Sequence, residues 1–340
     1  MSKPVIALTM GDPGGIGPEI ILKSLSEIKF GKAIYMVIGS REVFEFASER
    51  LHIPFKPNVI PTLEASFLKE NQINFLDITR EAQALYEKIF QITLPTEEIF
   101  SVGSVSKWNA ALSYSALKVA AYQGAYNLIQ GLVTAPIHKL AMRLIDPHFS
   151  GHTEYLAKIS KVKEFAMMFV SKRLRVTLAT IHIPLKKVSH TLTSESLTSK
   201  IVLTDNFLKR RLKINKPRIG VSALNPHGSE FGDEEEKVIA PSVKEAANKG
   251  IRVEGPLPGD QIFNDAYEGR LDAVIAMYHD QGLAPFKMIA FKDGVNVTLG
   301  LPYLRTSPDH GTAFDIAYKN KAFHSAFLNS INLIEKTMTV

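Results

Sequence analysis

Short apolar runs alternate with longer mixed stretches along nearly the whole chain. Val5–Thr9, Ile34–Ile38 and Leu132–Thr134 are continuous apolar segments, the pattern of strands buried on both faces of a parallel sheet. Phe165–Val170 and Leu174–Thr180 read as strands separated by a tight basic turn. Helical patterns cover Ser104–Gln130, Thr193–Arg211, Asp233–Asn248 and Phe323–Thr337, and another helix opens near Pro18. The acidic start of Asp233–Asn248 suits a helix dipole, and Ser40 is placed to cap the helix after the second strand. The Pro-rich stretch Ile53–Pro61 reads as a surface connection. Strands alternating with helices predict βαβ units, an α/β class and mostly parallel sheets. The expected division is a discontinuous first domain, 1–107 plus 258–340, around a central domain at 108–257.

Three further apolar runs each lead into a histidine: Val176 to His182, Ile219 to His227 and Ala273 to His279. Ligands bind outside the carboxyl ends of strands in open α/β sheets. Three imidazoles at one such edge can converge on a divalent metal and leave a coordination position for substrate. The chain has no cysteine, so any metal must use His, Asp or Glu. Asp280 and Gln281 follow His279, and Glu230 follows His227, as acceptors able to fix a ring tautomer.

The chain has 340 residues, 45% hydrophobic and 22% charged, which fits a globular protein of two domains or one large unit. No signal peptide is legible, and no run reaches the roughly 18 apolar residues of a membrane helix, so a cytoplasmic protein is expected. The net charge of +6 is dispersed. Its densest runs, Ser171–Arg175 and Lys209–Lys213, lack the interleaved aromatics of a nucleic-acid groove. A small phosphorylated substrate accounts for the charge without nucleic acid or membrane.

Gly11-Asp-Pro-Gly-Gly-Ile-Gly-Pro-Glu19 follows the first strand, but it has neither dinucleotide-fingerprint nor P-loop spacing. It reads equally as a ligand loop or a tight strand-to-helix turn. His152 can donate to substrate and Thr153 can cap the short helix that follows, where free N–H groups receive phosphate. Lys287, Asn296 and Arg305 can bind one phosphate or carboxylate, the Arg in bidentate fashion.

These blocks, with Gly151-His-Thr-Glu154, Asn225-Pro-His227, Met277-Tyr-His-Asp-Gln-Gly282 and Thr306-Ser-Pro-Asp-His-Gly-Thr312, resemble the 4-hydroxythreonine-4-phosphate dehydrogenase family of pyridoxal phosphate biosynthesis. The resemblance covers essentially the whole chain. It implies a two-domain isocitrate/isopropylmalate dehydrogenase-like fold and a homodimer with its active site at the subunit interface, the central domain carrying dimer contacts. It implies His182, His227 and His279 as metal ligands drawn from both subunits. Substrate would meet His152, Thr153, Lys287, Asn296 and Arg305. NAD, or NADP, would lie near Ser307, Asp309, His310, Gly311 and Thr312. Two departures stand out. Tyr318 occupies a position where the family has Gly, which places a bulky group at the expected cofactor wall. Gly228-Ser229 replaces the commoner Ala-Gly after His227.

The implied reaction oxidises the hydroxyl of 4-phosphooxy-L-threonine with NAD and a divalent metal (Zn, Mg, Co or Mn), and decarboxylation then gives 3-amino-2-oxopropyl phosphate. Asp280, Lys287 or a bound water takes the hydroxyl proton. The alternative is a paralogue acting on phospho-threonate or erythronate phosphate. A phosphate acyltransferase shares the fold shape but needs no such histidines, and an anion or nucleic-acid binder needs no metal.

Overall fold

The computed structural model describes residues 3–94, 100–228 and 230–338. The chain forms two compact units, Met1–Val162 with Leu301–Val340, and Lys163–Gly300. Among the described residues no helix is long and apolar enough to cross a membrane.

The first unit is built on strands β1 (Val5–Thr9), β2 (Ile34–Gly39), β3 (Asn58–Ile60), β4 (Asn74–Asp77), β5 (Gly131–Thr134) and β12 (Leu304–Pro308). Their order is β3-β4-β2-β1-β5-β12, paired in parallel. Every residue of β1, β2 and β5 is buried, as their unbroken apolar character requires. Each fully buried Ile or Leu there contributes roughly 1.5–3 kcal/mol. Helix Lys107–Ala125 is capped by Ser106, whose hydroxyl accepts the Asn109 N–H at 3.0 Å. It is shorter than the expected 104–130, since Asn127 turns left-handed at φ 59°.

The second unit uses β6 (Ala166–Val170), β7 (Arg175–Leu178), β8 (Ile219–Ser222), β9 (Val253–Leu257), β10 (Ala273–Ala276) and β11 (Val295–Leu299), ordered β11-β6-β7-β10-β8-β9. β6 runs antiparallel to β7 and β11. β7, β10, β8 and β9 are parallel neighbours. Phe169, Val176, Leu178, Val274, Ala276 and Phe286 form part of its core. The stretch expected as one helix over Asp233–Asn248 instead opens with a π turn, Glu235–Ile239, and continues as Ala240–Asn248.

The unit boundaries depart from the expected central domain at 108–257. Helix Lys107–Ala125 packs on β1, β2 and β5, and Gly124 gives way to the Tyr303 ring, 2.3 Å from where a Cβ would stand. It therefore belongs with the first unit. β10 and β11 pair with β7 and β6, so the second unit runs on to Gly300. Ser40 sits at the N-cap of Arg41–Leu51, but its hydroxyl makes no cap bond and accepts instead from Thr79 at 3.1 Å.

The glycine-rich segment is a packed strand-to-helix turn. A Cβ on Gly17 would stand 2.2 Å from the Met10 carbonyl oxygen, and one on Gly14 would stand 2.5 Å from that of Ser101. Gly17→Ala should lower stability by on the order of 3 kcal/mol, the upper part of the usual overpacking cost. Gly311→Ala, whose Cβ meets nothing, should shift it by under about 0.5 kcal/mol. Urea denaturation of the two variants checks the contrast.

Candidate active site

The parallel pairing of β7, β10 and β8 brings three histidine-bearing strand ends side by side in the second unit. Pairing continues beyond the strands. Thr180 donates both its N–H and its hydroxyl to the Met277 carbonyl, at 3.1 and 2.7 Å. Gln281 accepts the Met277 N–H at 2.7 Å and donates to the Ala223 carbonyl at 2.8 Å. Gly282 lets helix His279–Ala290 press against β7 and β10; a Cβ there would meet Leu178, Val176 and Ala276 at 2.7–3.0 Å. These ties bring the His182 and His279 rings to 5.6 Å between centroids. His279 Nδ1 lies 2.7 Å from Asp280 Oδ1, a contact that orients the ring and leaves Nε2 for a ligand.

His227 is not brought into this pair. Its ring lies against Phe231 at 6.2 Å, and its backbone is left-handed at φ 56°, followed by Gly228 at φ 75°. For a non-glycine residue that conformation costs roughly 1–2 kcal/mol. Among the described residues no group of three His, Cys, Asp or Glu could hold a metal. One chain thus presents a pair of imidazoles and a third on a separate turn. A mainly apolar cavity of about 200 Å³ opens beside the His182 turn, between Phe165, Leu178, Ile183 and Lys200. It does not suit a phosphate, since the Lys200 amine is committed to the Phe165 carbonyl at 2.6 Å.

Lys287 and Asn296 also lie in the second unit. Lys287 sits half-buried on helix His279–Ala290 with Nζ 5.4 Å over the Phe291 ring. Asn296 is half-buried on β11 with its side-chain oxygen buried and unbonded.

Arg305, on β12 in the first unit, is 3% exposed and donates to the Thr134 hydroxyl at 2.7 Å. Burial lowers its pKa to about 10, which Tyr303 and Glu154 oppose; it stays charged at neutral pH. His152 opens helix His152–Ile159 with its Nε2 sealed from water and unbonded. Burial, then the charges of Arg305 and Lys139, push the His152 pKa well below 6.5. The ring is therefore a neutral donor beside a buried cation, an arrangement that receives an anion. Thr153 does not cap this helix as expected. Gly151 takes the N-cap position without a side-chain bond and Thr153 is buried in the first turn, so the leading N–H groups keep their dipole for a ligand.

Ser307 is buried near the end of β12. His310 and Gly311 are exposed, with His310 Nδ1 3.2 Å from the Gly311 carbonyl. Asp309 is partly buried. The Thr312 carbonyl is committed to the Ile16 N–H at 2.9 Å. His138 stacks on Phe314, centroids 5.2 Å apart. Tyr318 does not crowd the loop surface. Its backbone is left-handed at φ 56°, a region that favours glycine. Its ring is buried against Phe46 and Phe100, and its hydroxyl donates to the Pro13 carbonyl at 2.6 Å.

Sequence reasoning missed Thr134, Thr180 and the pair Glu234–Glu235, and it gave Gln281 a ring-orienting role where the side chain instead bonds the Met277 N–H and the Ala223 carbonyl. These residues hold the chemical groups rather than present chemistry themselves. The acidic run at 233–236 was the only signal for the last pair, and it reads first as dipole compensation.

The fold is of the α/β class, two compact units whose strands pair mostly in parallel. The family model of pyridoxal phosphate biosynthetic protein PdxA matches residues 32–334, and the chain belongs to that family. It is 42% identical over 335 residues to a 4-hydroxythreonine-4-phosphate dehydrogenase of Aquifex aeolicus, covering 97% of each chain. It is 39% identical over 340 residues to a D-threonate 4-phosphate dehydrogenase of Pectobacterium atrosepticum, covering 98% of each. It superposes on a 4-hydroxythreonine-4-phosphate dehydrogenase structure from Klebsiella pneumoniae with a TM-score of 0.83 and 36% identity, covering 99% of this chain and 100% of that one. The chain is an oxidoreductase of this family.

Asp12 lies fully buried in the glycine-rich turn, accepting the Gly14 N–H at 2.9 Å. Burial raises its pKa from 3.8 to about 6, against lowering by Gly14 and Asn109. The folded protein thus keeps a proton that the unfolded chain loses between pH 3.8 and 6. The resulting stability is fully present below pH 3.8 and is lost as pH rises through 6. The shift corresponds to about 3 kcal/mol. Asp12→Asn removes this titration, so from pH 4 to 7 the wild type should lose about that much stability relative to the variant. Urea denaturation at stepped pH measures it.

Proposed function

We propose that the protein oxidises 4-phosphooxy-L-threonine with NAD (NADP as the alternative acceptor) and a divalent metal, Zn, Mg or Co. Carbon dioxide is then lost, giving 3-amino-2-oxopropyl phosphate on the route to pyridoxal phosphate. The family match supports the pathway. The observation that carries the chemistry is the run of three neighbouring parallel strands, each followed by a histidine. The donors fit a divalent ion: His182 and His279 adjoin, Asp280 fixes the His279 ring, and no thiolate competes. His227 stands apart, which supports a site completed by a second copy in a homodimer. Leu185, Phe231, Met288 and Phe291, which follow the three histidines along the chain, are 68–90% exposed, and a dimer interface is the usual reason for such exposure. The protein is proposed to work in the cytoplasm.

When bound, the metal supplies Lewis acidity toward the substrate hydroxyl, and NAD supplies the hydride acceptor. His152, Thr153 and Arg305 are proposed to hold one anionic group of the substrate, and Lys287 and Asn296 a second. Ser307, Asp309, His310, Gly311 and Thr312 are proposed to border the cofactor. The carbon bearing the hydroxyl loses hydride, and the hydroxyl loses its proton to a base. The bond to the carboxylate carbon then breaks, carbon dioxide leaves, and the adjacent carbon takes up a proton. Asp280 is engaged with His279, so its role is to orient that ring. The hydroxyl proton is proposed to go to a bound water or to Lys287 in its neutral form; as the ammonium, Lys287 holds the anion instead.

A second reading is favoured by the 39% identity to a D-threonate 4-phosphate dehydrogenase. That substrate shares the hydroxyl, carboxylate and phosphate but bears a hydroxyl in place of the amino group. Erythronate phosphate belongs to the same class.

NADH formation, followed by absorbance with metal-loaded protein, should be fast with 4-phosphooxy-L-threonine, stop with chelator and return with metal. Turnover of D-threonate 4-phosphate alone would establish the second reading, and metal-independent turnover would remove the histidine role. Arg305→Met should raise KM by about 10–100-fold, the worth of a buried charge-assisted bond.

A further inference from the structure

The turn that carries His227 is gripped from beneath by two consecutive carboxylates. Glu235 is 1% exposed and opens the π turn of the second unit. Its Oε1 accepts the N–H groups of Leu224 and Asn225, both at 2.8 Å. Its Oε2 accepts the Asn225 side-chain amide at 3.0 Å, and Glu234 Oε2 accepts the same amide at 2.8 Å. Gly232 makes room for this meeting, since a Cβ there would stand 2.3 Å from Asn225 Nδ2. Pro226, with its fixed φ, is the one residue between the clamped Asn225 and His227.

We infer that Glu235, assisted by Glu234, is the positioning residue for His227, holding its turn in the geometry required of a metal ligand. The inference rests on the proposed ligand role of His227. A left-handed non-glycine residue persists only where its surroundings over-determine it, and such strain gathers at functional sites. Here the over-determination is visible: three hydrogen bonds to one buried carboxylate, ending two residues before the strained position. π turns gather at functional sites in the same way. A carboxylate offers enough acceptor positions for two backbone N–H groups and one amide together, which a hydroxyl does not.

The test is Co²⁺ binding to the full chain, titrated through the visible absorbance of the bound ion, with thermal unfolding measured in parallel. Four variants are compared: Glu235→Ala, Glu235→Gln, His227→Ala and Ile239→Ala. Ile239 is fully buried at the end of the same π turn and has an apolar side chain that makes no hydrogen bond, so its truncation reports what destabilisation alone does. Glu235→Ala should weaken Co²⁺ by about 10–100-fold, the usual effect of losing a group that orients a metal ligand. Glu235→Gln, which keeps an acceptor for the backbone, should recover most of the affinity. Ile239→Ala should lower Tm yet bind Co²⁺ as the wild type does. If His227→Ala weakens Co²⁺ but Glu235→Ala does not, or if Ile239→Ala weakens it equally, the positioning role is overturned and the ligand role stands. If His227→Ala itself leaves Co²⁺ affinity unchanged, the ligand reading falls, and the positioning role with it.

Discussion

The parallel pairing of β7, β10 and β8 is the constraint on which the chemistry of the second unit depends. Val274 pairs with Val176 on one side, and Ala273 with Ile219 on the other. Parallel strands in register finish along one edge, so whatever follows them is delivered to the same side of the sheet. The hydrogen bonds of Thr180 and Gln281 extend that alignment past the last paired residues. How far each histidine then stays with the others is set by its own loop. His182 and His279 follow their strands by short, bonded segments and meet. His227 follows a longer segment whose bonds lead to Glu235 and away from β10.

The first unit solves a different electrostatic problem. A buried guanidinium needs compensation, and at the anion site proposed here some of it would come from the ligand. Thr134 takes one Arg305 hydrogen bond without adding negative charge, and His152 stays neutral beside it. The Arg305 cation and the neutral His152 thus stay together at the start of helix His152–Ile159. The glycine-rich turn, by contrast, is braced. Its carbonyls and N–H groups are spent on Pro136, Thr312 and Gly103, and Tyr318 fills the space beneath it.

Legibility in the sequence follows the range of the interaction involved. Apolar runs such as Val5–Thr9 reveal strands because burial on both faces leaves a local signature. Histidines at the ends of such runs reveal a functional edge, because strand direction and chain direction coincide. The boundary at Lys163 was hidden because helix Lys107–Ala125 is committed to β1, β2 and β5 by packing that no local pattern encodes. The N-cap at Gly151 was hidden because Thr153 has cap chemistry but lies two residues too late. The packing of the Tyr318 ring against Phe46 and Phe100 was hidden because both partners lie far away in the chain. Glu235 was hidden because a buried carboxylate and a solvated one look alike in a run of four acids.

The two relatives that match along the full chain act, by name, on substrates that differ at a single carbon, an amine in one and a hydroxyl in the other. The carboxylate, the oxidised hydroxyl and the phosphate are common to both. The motif residues His152, Arg305, Lys287 and the three histidines are proposed to meet those shared features. They are therefore the same whichever substrate is used, and the family resemblance is equally strong in both directions. Discrimination must come from what faces the variable carbon. An ammonium group there requires hydrogen-bond acceptors and gains from a carboxylate, whereas a hydroxyl is satisfied by a donor or an acceptor and gains nothing from added negative charge. A site that leaves such a polar group unpaired discriminates far more strongly than one that differs only in shape. On the proposed roles, substrate choice here would fall on side chains outside these motifs.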